Sequence, residues 1–313
     1  MIGRIVTCDE EIYQLPPLLE CSVCCTGGVP CDSFSAVCVY TPDMADIAHK
    51  AVSMQIWHGE KLLLHGVVDE YVISQSDKGQ RISFQGRGLA CRLLDNESRP
   101  VSYQAAGLEE ILRNHVALHG ITCRTMADVR AVGTYSVSAG SSQWKALMDF
   151  CEIYGGFVPR FARSGELLAV PEENTAIRKI DASTTILSLE KRENHYGVLS
   201  EVVVMDKTQG VSYTVKNQDF IQRGGQRRQV VYTPGQSSWA LMRYTGEYRI
   251  AKSRKKEVEI TLTLPGIVEA DPADTVVISR DECGIYGTYR VAEVEHRLGS
   301  DGELTLLTLE ERV

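Results

Sequence analysis

Three stretches of the 313-residue chain carry residue types that could do chemistry. Cys21-Ser22-Val23-Cys24-Cys25, with Cys31 close behind, has the Cys-x-x-Cys spacing of a zinc ligand pair. A structural zinc needs four ligands closing tetrahedrally, and no second Cys-x-x-Cys or His pair follows at suitable spacing. A strand would also send Cys24 and Cys25 to opposite faces, so one ion could not easily take both. His115 and His119 stand four apart, which puts two imidazoles on one helix face. The zinc-hydrolase pattern His-Glu-x-x-His uses its Glu as general base, and Val116 stands there instead. In Gln85-Gly86-Arg87-Gly88-Leu89-Ala90-Cys91, Cys91 replaces the third glycine of a dinucleotide loop, and no βαβ unit surrounds it. Those glycines read as a tight strand exit. There is no Gly-x-Ser-x-Gly, no Walker loop and no acidic pair placed for acid–base work. The expectation is a chain that is not an enzyme, with no catalytic, cofactor-binding or metal-binding residue.

The elements around these stretches change character along the chain. Residues 1–95 are strand-rich, with turns at Thr26-Gly27-Gly28, His58-Gly59 and Asp77-Lys78-Gly79, and show no sustained helical period. Residues 96–183 read as a small α+β insert. Leu108, Ile111, Leu112, His115 and His119 recur at helical spacing, and Gly120 ends the run. A second helix starts at Ser142, places Trp144, Leu147, Met148, Cys151 and Tyr154 on one face, and stops at Gly155-Gly156. A hairpin follows, turning at Arg163-Ser164-Gly165. Residues 184–313 return to strands around an insertion at about 218–256. There Ser237 or Ser238 would cap a helix with Leu241, Tyr244, Tyr248 and Ala251 on one face.

Charge is uneven. From Arg223 to Lys256 stand nine Arg/Lys and one Glu, a net +8, which leaves −16 for the rest of a chain whose total is −8. The acidic total and a pI near 5.5 argue against a dedicated nucleic-acid binder. Opposite-sign segments on one chain favour docking between copies, although a solvated loop and helix face is the commoner use of such a run. No apolar run approaches the ~20 residues of a membrane-crossing helix. Met1–Val6 carries no signal-peptide pattern, so the chain is expected in the cytoplasm or assembled there, without membrane insertion. Of ten cysteines, six fall in the first forty residues. In a reducing compartment they stay thiols, and Cys38 and Cys151 read as core packing.

The C-terminal end echoes the N-terminal third. Residues 43–84 begin Asp43-Met44-Ala45-Asp46, alternate through Val52, Met54 and Ile56, and turn at His58-Gly59. They continue through Gly66–Tyr71, turn at Ser76–Gly79 and finish Arg81-Ile82-Ser83-Phe84. Residues 271–309 begin Asp271-Pro272-Ala273-Asp274, run through Val276–Ile278 and turn at Asp281–Gly284. They continue through Tyr289–Val294, turn at Ser300-Asp301-Gly302 and finish Leu304–Leu309. The same order of strands and turns predicts two similar antiparallel β units, one at each end.

Several stretches together resemble the baseplate hub proteins of contractile phage tails, of the late-control-protein-D type and the PBSX-like type. They are Gly27–Phe34, Phe84–Asp95, Tyr103–Leu112, and Gly287–Val291 leading to His296 and the final Thr-Leu strands. Their order along nearly the whole chain is the specific part. The resemblance implies two tail-tube-like β-barrel domains, residues 1–95 and 184–313, flanking a small α+β domain, 96–183. It implies a homotrimer whose six similar domains adapt a sixfold tail tube to a threefold spike. Partners would be the tube or tube-initiator protein, the central spike and other baseplate proteins, with DNA passing through the lumen unbound. The location would be a virion or phage-like particle built in the bacterial cytoplasm. Asp271–Asp274 departs from the Pro-Gly-Asp turn such hubs often show, which puts that turn in doubt. No lysozyme-like, peptidase or LysM extension follows Val313, so cell-wall cutting is expected on another protein. Two other readings stay open: a metal-dependent hydrolase using the Cys cluster or His115 and His119, and a β-rich carbohydrate-binding module.

Overall fold

The structure is a computed structural model and describes residues 1–27, 32–77, 79–171, 176–206, 208, 210–233, 238–255, 257–280 and 284–311. The first region comprises β1 (Ile2–Thr7), β2 (Ile12–Gln14), β3 (Leu18–Thr26), β4 (Ser33–Val39), α1 (Met44–Lys50), β5 (Ala51–His58), β6 (Lys61–Ser76) and β7 (Gly79–Gly88). In β1, in β4 and along β3 from Cys21, burial alternates residue by residue. That is the two-residue period of a strand with one face in the core. Ile5, Val23, Met54, Ile56, Ile82 and Phe84 meet in one core. The helix α1 was not expected. It is seven residues long and buries only Met44 and Ala48, too little to show a 3.6-residue period.

The insert follows as α2 (Cys91–Leu94), β8 (Val101–Gln104), α3 (Leu108–His115), β9 (Cys123–Met126), β10 (Thr134–Val137), α4 (Gln143–Phe150), β11 (Arg160–Phe161) and β12 (Leu167–Ala169). Its signals act as expected. Ser142 Oγ accepts from the Lys145 amide at 3.1 Å and caps α4. Gly120 and Gly156, with φ of 69° and 70°, close the turns after α3 and α4 in the left-handed region. Ile111, Leu147, Phe150 and Leu167 form a core of its own.

The last region comprises β13 (Ile177–Ile180), β14 (Ser188–Glu193), β15 (Glu201–Asp206), β16 (Ser212–Lys216), α5 (Gln218–Gln222), β17 (Arg228–Thr233), α6 (Trp239–Arg254), β18 (Val258–Pro265), β19 (Thr275–Arg280), β20 (Ile285–Gly299) and β21 (Gly302–Glu311). Strands β15, β16 and β17 make a separate small sheet. Helix α6 covers it with Met242, Gly246 and Ile250, and Ser238 Oγ caps the helix by accepting from the Leu241 amide. Ser237 lies outside the described residues. The face that carries Leu241, Tyr244 and Tyr248 is turned outward, and all three are exposed. Gly246 selects the other face, because any side chain there would meet Val215 at 2.5 Å.

Thirteen strands from both ends of the chain share one large sheet, so the protein is mainly β with an α+β insert. Within the sheet a six-strand set occurs twice. The first runs β1-β5-β6-β7-β4-β3, the second β13-β19-β20-β21-β18-β14. The sets differ at one end: β1 is antiparallel to β5, whereas β13 is parallel to β19. Aligned on their tips, Ser76–Gly79 with Gly299–Gly302, the two long hairpins carry a bulge at the same place. The register shifts between Val68 and Glu70 in one and between Val291 and Glu293 in the other. Conserving a bulge keeps the same local bend in both. The opening Asp quartets of the echo are not equivalent: Asp43 precedes α1, whereas Asp274 leads directly into β19. Each set keeps a separate core, and the sets join where β3, the last strand of the first, pairs with the second half of β20.

Candidate assembly interface

The join between the sets carries several polar contacts. Residues Cys21–Thr26 of β3 run antiparallel to Glu293–Leu298 of β20. Ser22 Oγ donates to Glu295 Oε1 at 2.8 Å across it. The Met1 ammonium and His58 Nε2 both reach Glu303, each at 3.2 Å.

The insert's hairpin turn enters the same join. Arg163 Nε donates to Asp271 Oδ1 at 2.6 Å, Nη1 to the Leu63 carbonyl at 3.2 Å and Nη2 to the Ala270 carbonyl. The Arg163 carbonyl accepts from the His65 amide at 2.8 Å. One planar guanidinium with fixed donor directions thus holds both β regions. Nearby Asp32 is buried and accepts from the Thr26 amide at 2.8 Å. Burial pushes its carboxyl up from 3.8 to about 6. His296, buried in β20 with Nδ1 3.2 Å from Thr305 Oγ1, is pushed down from 6.5 to about 4 by burial and by Arg163.

The chemical candidates do not converge. Cys21 and Cys25 are buried on the core side of β3, and burial raises both thiols to about 12. Cys24 points to the other face, as the strand alternation required. Cys31 lies outside the described residues, and no group of three metal-ligating side chains occurs among the described ones. His115 is buried on α3, within 2.9 Å of Tyr103 Oη and 2.7 Å of Gln143 Oε1, and its burial lowers its pKa. His119 sits beyond it in a 3-10 turn, so the pair does not share a helix face as expected. Gly88 is the last residue of β7, at the strand exit as expected, whereas Gly86 lies inside the strand. A side chain on Gly86 would meet the Val67 carbonyl at 1.9 Å and the Phe34 ring at 2.6 Å. Close strand approach, not a turn, is why glycine stands there.

Two surfaces remain open. On β6, Tyr71, Val72 and Ile73 are 38%, 44% and 43% exposed. On the small sheet, Trp239 and Tyr244 of α6 are both 60% exposed, and the Trp239 ring lies 5.9 Å from that of Tyr213 of β16. The expected basic segment is partly neutralised by neighbours. Arg228 pairs with Glu201, and Lys252 with Glu152 of the insert at 3.0 Å. Arg227 and Arg249 line the adjoining cavity of about 310 Å³. The seam left no local signal in the sequence, because its strands come from opposite ends of the chain.

No family model and no curated protein matches the chain in sequence. The fold, however, is one found in phage tail proteins. A tail protein from Neisseria meningitidis MC58 aligns over 99% of this chain and 96% of its own, with a TM-score of 0.81 and 17% identity. The 43 kDa tail protein of prophage MuSo2 from Shewanella oneidensis aligns over 99% and 98%, with a TM-score of 0.79 and 13% identity. An E. coli component of the type VI secretion system, structurally similar to T4 bacteriophage tail proteins, aligns over 95% and 74%, with a TM-score of 0.58 and 10% identity.

Proposed function

We propose that the chain is a structural protein of a phage tail or phage-like injection particle, and that it serves there as the baseplate hub. Three copies form a ring that adapts a sixfold tail tube to a threefold spike. The observation that carries this reading is the repeated six-strand set. Two similar sets per chain, taken three times, offer six similar positions to a tube above and three identical chains to a spike below. The fold shared with tail proteins over nearly the full chain supports the same reading. The ring contacts the tube or tube initiator, the spike and other baseplate proteins, and it is assembled in the bacterial cytoplasm before joining the particle. The excess of acidic residues outside the basic segment suits a conduit, since like charge keeps passing DNA from binding the wall. Native mass spectrometry of the full chain tests the ring. The expected species is a trimer of the 34.7 kDa subunit. A spectrum holding only monomer would overturn it.

A further inference from the structure

The two six-strand sets differ in how completely their strands are paired. β20 has three partners: β21 on one side, and on the other β19 along its first half and β3 along its second. Its counterpart β6 has β7 on one side and β5 along the first half of the other. The second half of that side, residues 70–75, faces no strand among the described residues. It carries the exposed Tyr71-Val72-Ile73 run, and an apolar free edge is one that sheets normally cover. β14 is the counterpart of β3. β3 is covered by β20, whereas β14 pairs only with β18 among the described residues.

We propose that these two open edges join between copies of the chain: β14 of one copy lies antiparallel along the second half of β6 of the next, in the register of the β3–β20 seam. This rests on the ring reading above and names its contact. The register follows from the pairing. Phe84 aligns with Leu307 when the hairpin tips coincide. Ala36 opposite Phe84 then aligns with Leu262 opposite Leu307. Cys21 opposite Ala36 aligns with Leu189 opposite Leu262. Within one chain Glu295 faces Cys24. Carried to the open edges, that pair becomes Val72 facing Arg192, which sets Ile73 opposite Lys191 and Tyr71 opposite Glu193. The chemistry fits. Lys191 and Glu193 neutralise each other at 2.7 Å, and their aliphatic stems can lie over Ile73 and Tyr71. Such a contact is head-to-tail, so repeating it closes a ring when the rotation permits.

Cross-linking tests it. Directly opposed residues in an antiparallel pair lie about 4.5–5.5 Å apart at Cα, within disulfide reach. The full-length chain with Ile73→Cys and Lys191→Cys should, on oxidation, give two- and three-chain species that reductant reverses. Either substitution alone, or Ile73→Cys with Arg192→Cys on opposite faces, should give none. Native mass spectrometry of the same samples separates the two failures. Trimers without the 73–191 cross-link overturn the register and leave the ring standing; monomers overturn both. A second variant covers the case of a disulfide that disturbs folding. Ile73→Lys sets two cations opposite each other and should weaken trimer formation at least tenfold, and adding Lys191→Glu should restore it. Trimers indifferent to both changes would refute the contact.

Discussion

The two halves of the sheet solve one packing problem in opposite ways. Where β4 meets β7, Phe34 stands opposite Gly86. At the equivalent place in the second set, Ile260 stands opposite Leu309. All the side chains concerned are buried. One set fills the space with an aromatic ring lying over bare backbone, the other with two aliphatic side chains of intermediate size. Cores accept such exchanges when total volume is kept. The strand order and the bulge persist while residue identities drift, which is why the internal echo shows in turns and alternation rather than in matching side chains.

Gly86→Val is the strongest way to break that comparison. Its side chain would collide with the Phe34 ring and with the Val67 carbonyl, and the carbonyl belongs to backbone that cannot swing aside. Overpacking of this kind costs about 3 kcal/mol or more. The variant should lose soluble trimer, as judged by size-exclusion chromatography and urea unfolding. Adding Phe34→Ile copies part of the second set and removes the ring clash only. The double variant should recover part of the loss. Full recovery would mean that backbone approach is not what requires glycine.

Much of this was legible in the sequence and the rest was not, for physical reasons. Caps and stops are local, so Ser142, Gly120 and Gly156 announced their helix ends directly. Turn chemistry is local too, which exposed the hairpins and their repetition. The outward turn of α6 was not legible, because a Gly246–Val215 approach between distant residues overrides the apolar stripe of Leu241, Tyr244 and Tyr248. Gly86 read as a strand exit because glycine marks both turns and close contacts. The β3–β20 seam and the Arg163 staple join residues from remote parts of the chain, and no window of sequence contains both partners.

The seam offers a sharper test, because each set contributes one buried titratable group with the opposite tendency. Asp32 is raised to about 6, so its stabilising contribution is complete below 3.8 and is lost as pH rises through 6. His296 is lowered to about 4, so its contribution is present above 6.5 and is lost as pH falls toward 4. Between about 4 and 6 the two slopes oppose each other. Asp32→Asn keeps an acceptor for the Thr26 amide and removes the buried charge. Above pH 6 it should gain about 2–3 kcal/mol, at 1.36 kcal/mol per pKa unit. Its stability should then fall as pH drops from about 6.5 to about 4, where His296 acts alone. Urea unfolding at several pH values checks both. A variant no more stable than the parent at about pH 8 would show that the charge of Asp32 is compensated by Arg163 rather than penalised by burial.

The smallest effect lies where the sets are entered. Pairing of Ser53 with Val67 and of Thr275 with Arg290 makes Ala51 and Ala273 equivalent, the same residue type in the two halves. Ala51 follows α1 with an ordinary φ of −62°. Ala273 follows the Asp271-Pro272 turn with φ at 82°, in the region that favours glycine. Its amide donates to the Val291 carbonyl at 2.9 Å, so the strand pairing holds it there. The left-handed conformation costs a residue with a Cβ about 1–2 kcal/mol, and glycine loses about 0.5–1 kcal/mol through its freer unfolded chain. Ala273→Gly should therefore stabilise by about 0.5–1 kcal/mol, and Ala51→Gly should destabilise by a similar amount. Thermal unfolding of the pair reads the sign directly. Equal destabilisation of both variants would show that the second set is entered without strain, and the contrast between a helical entry and a turn entry would lose its energetic meaning.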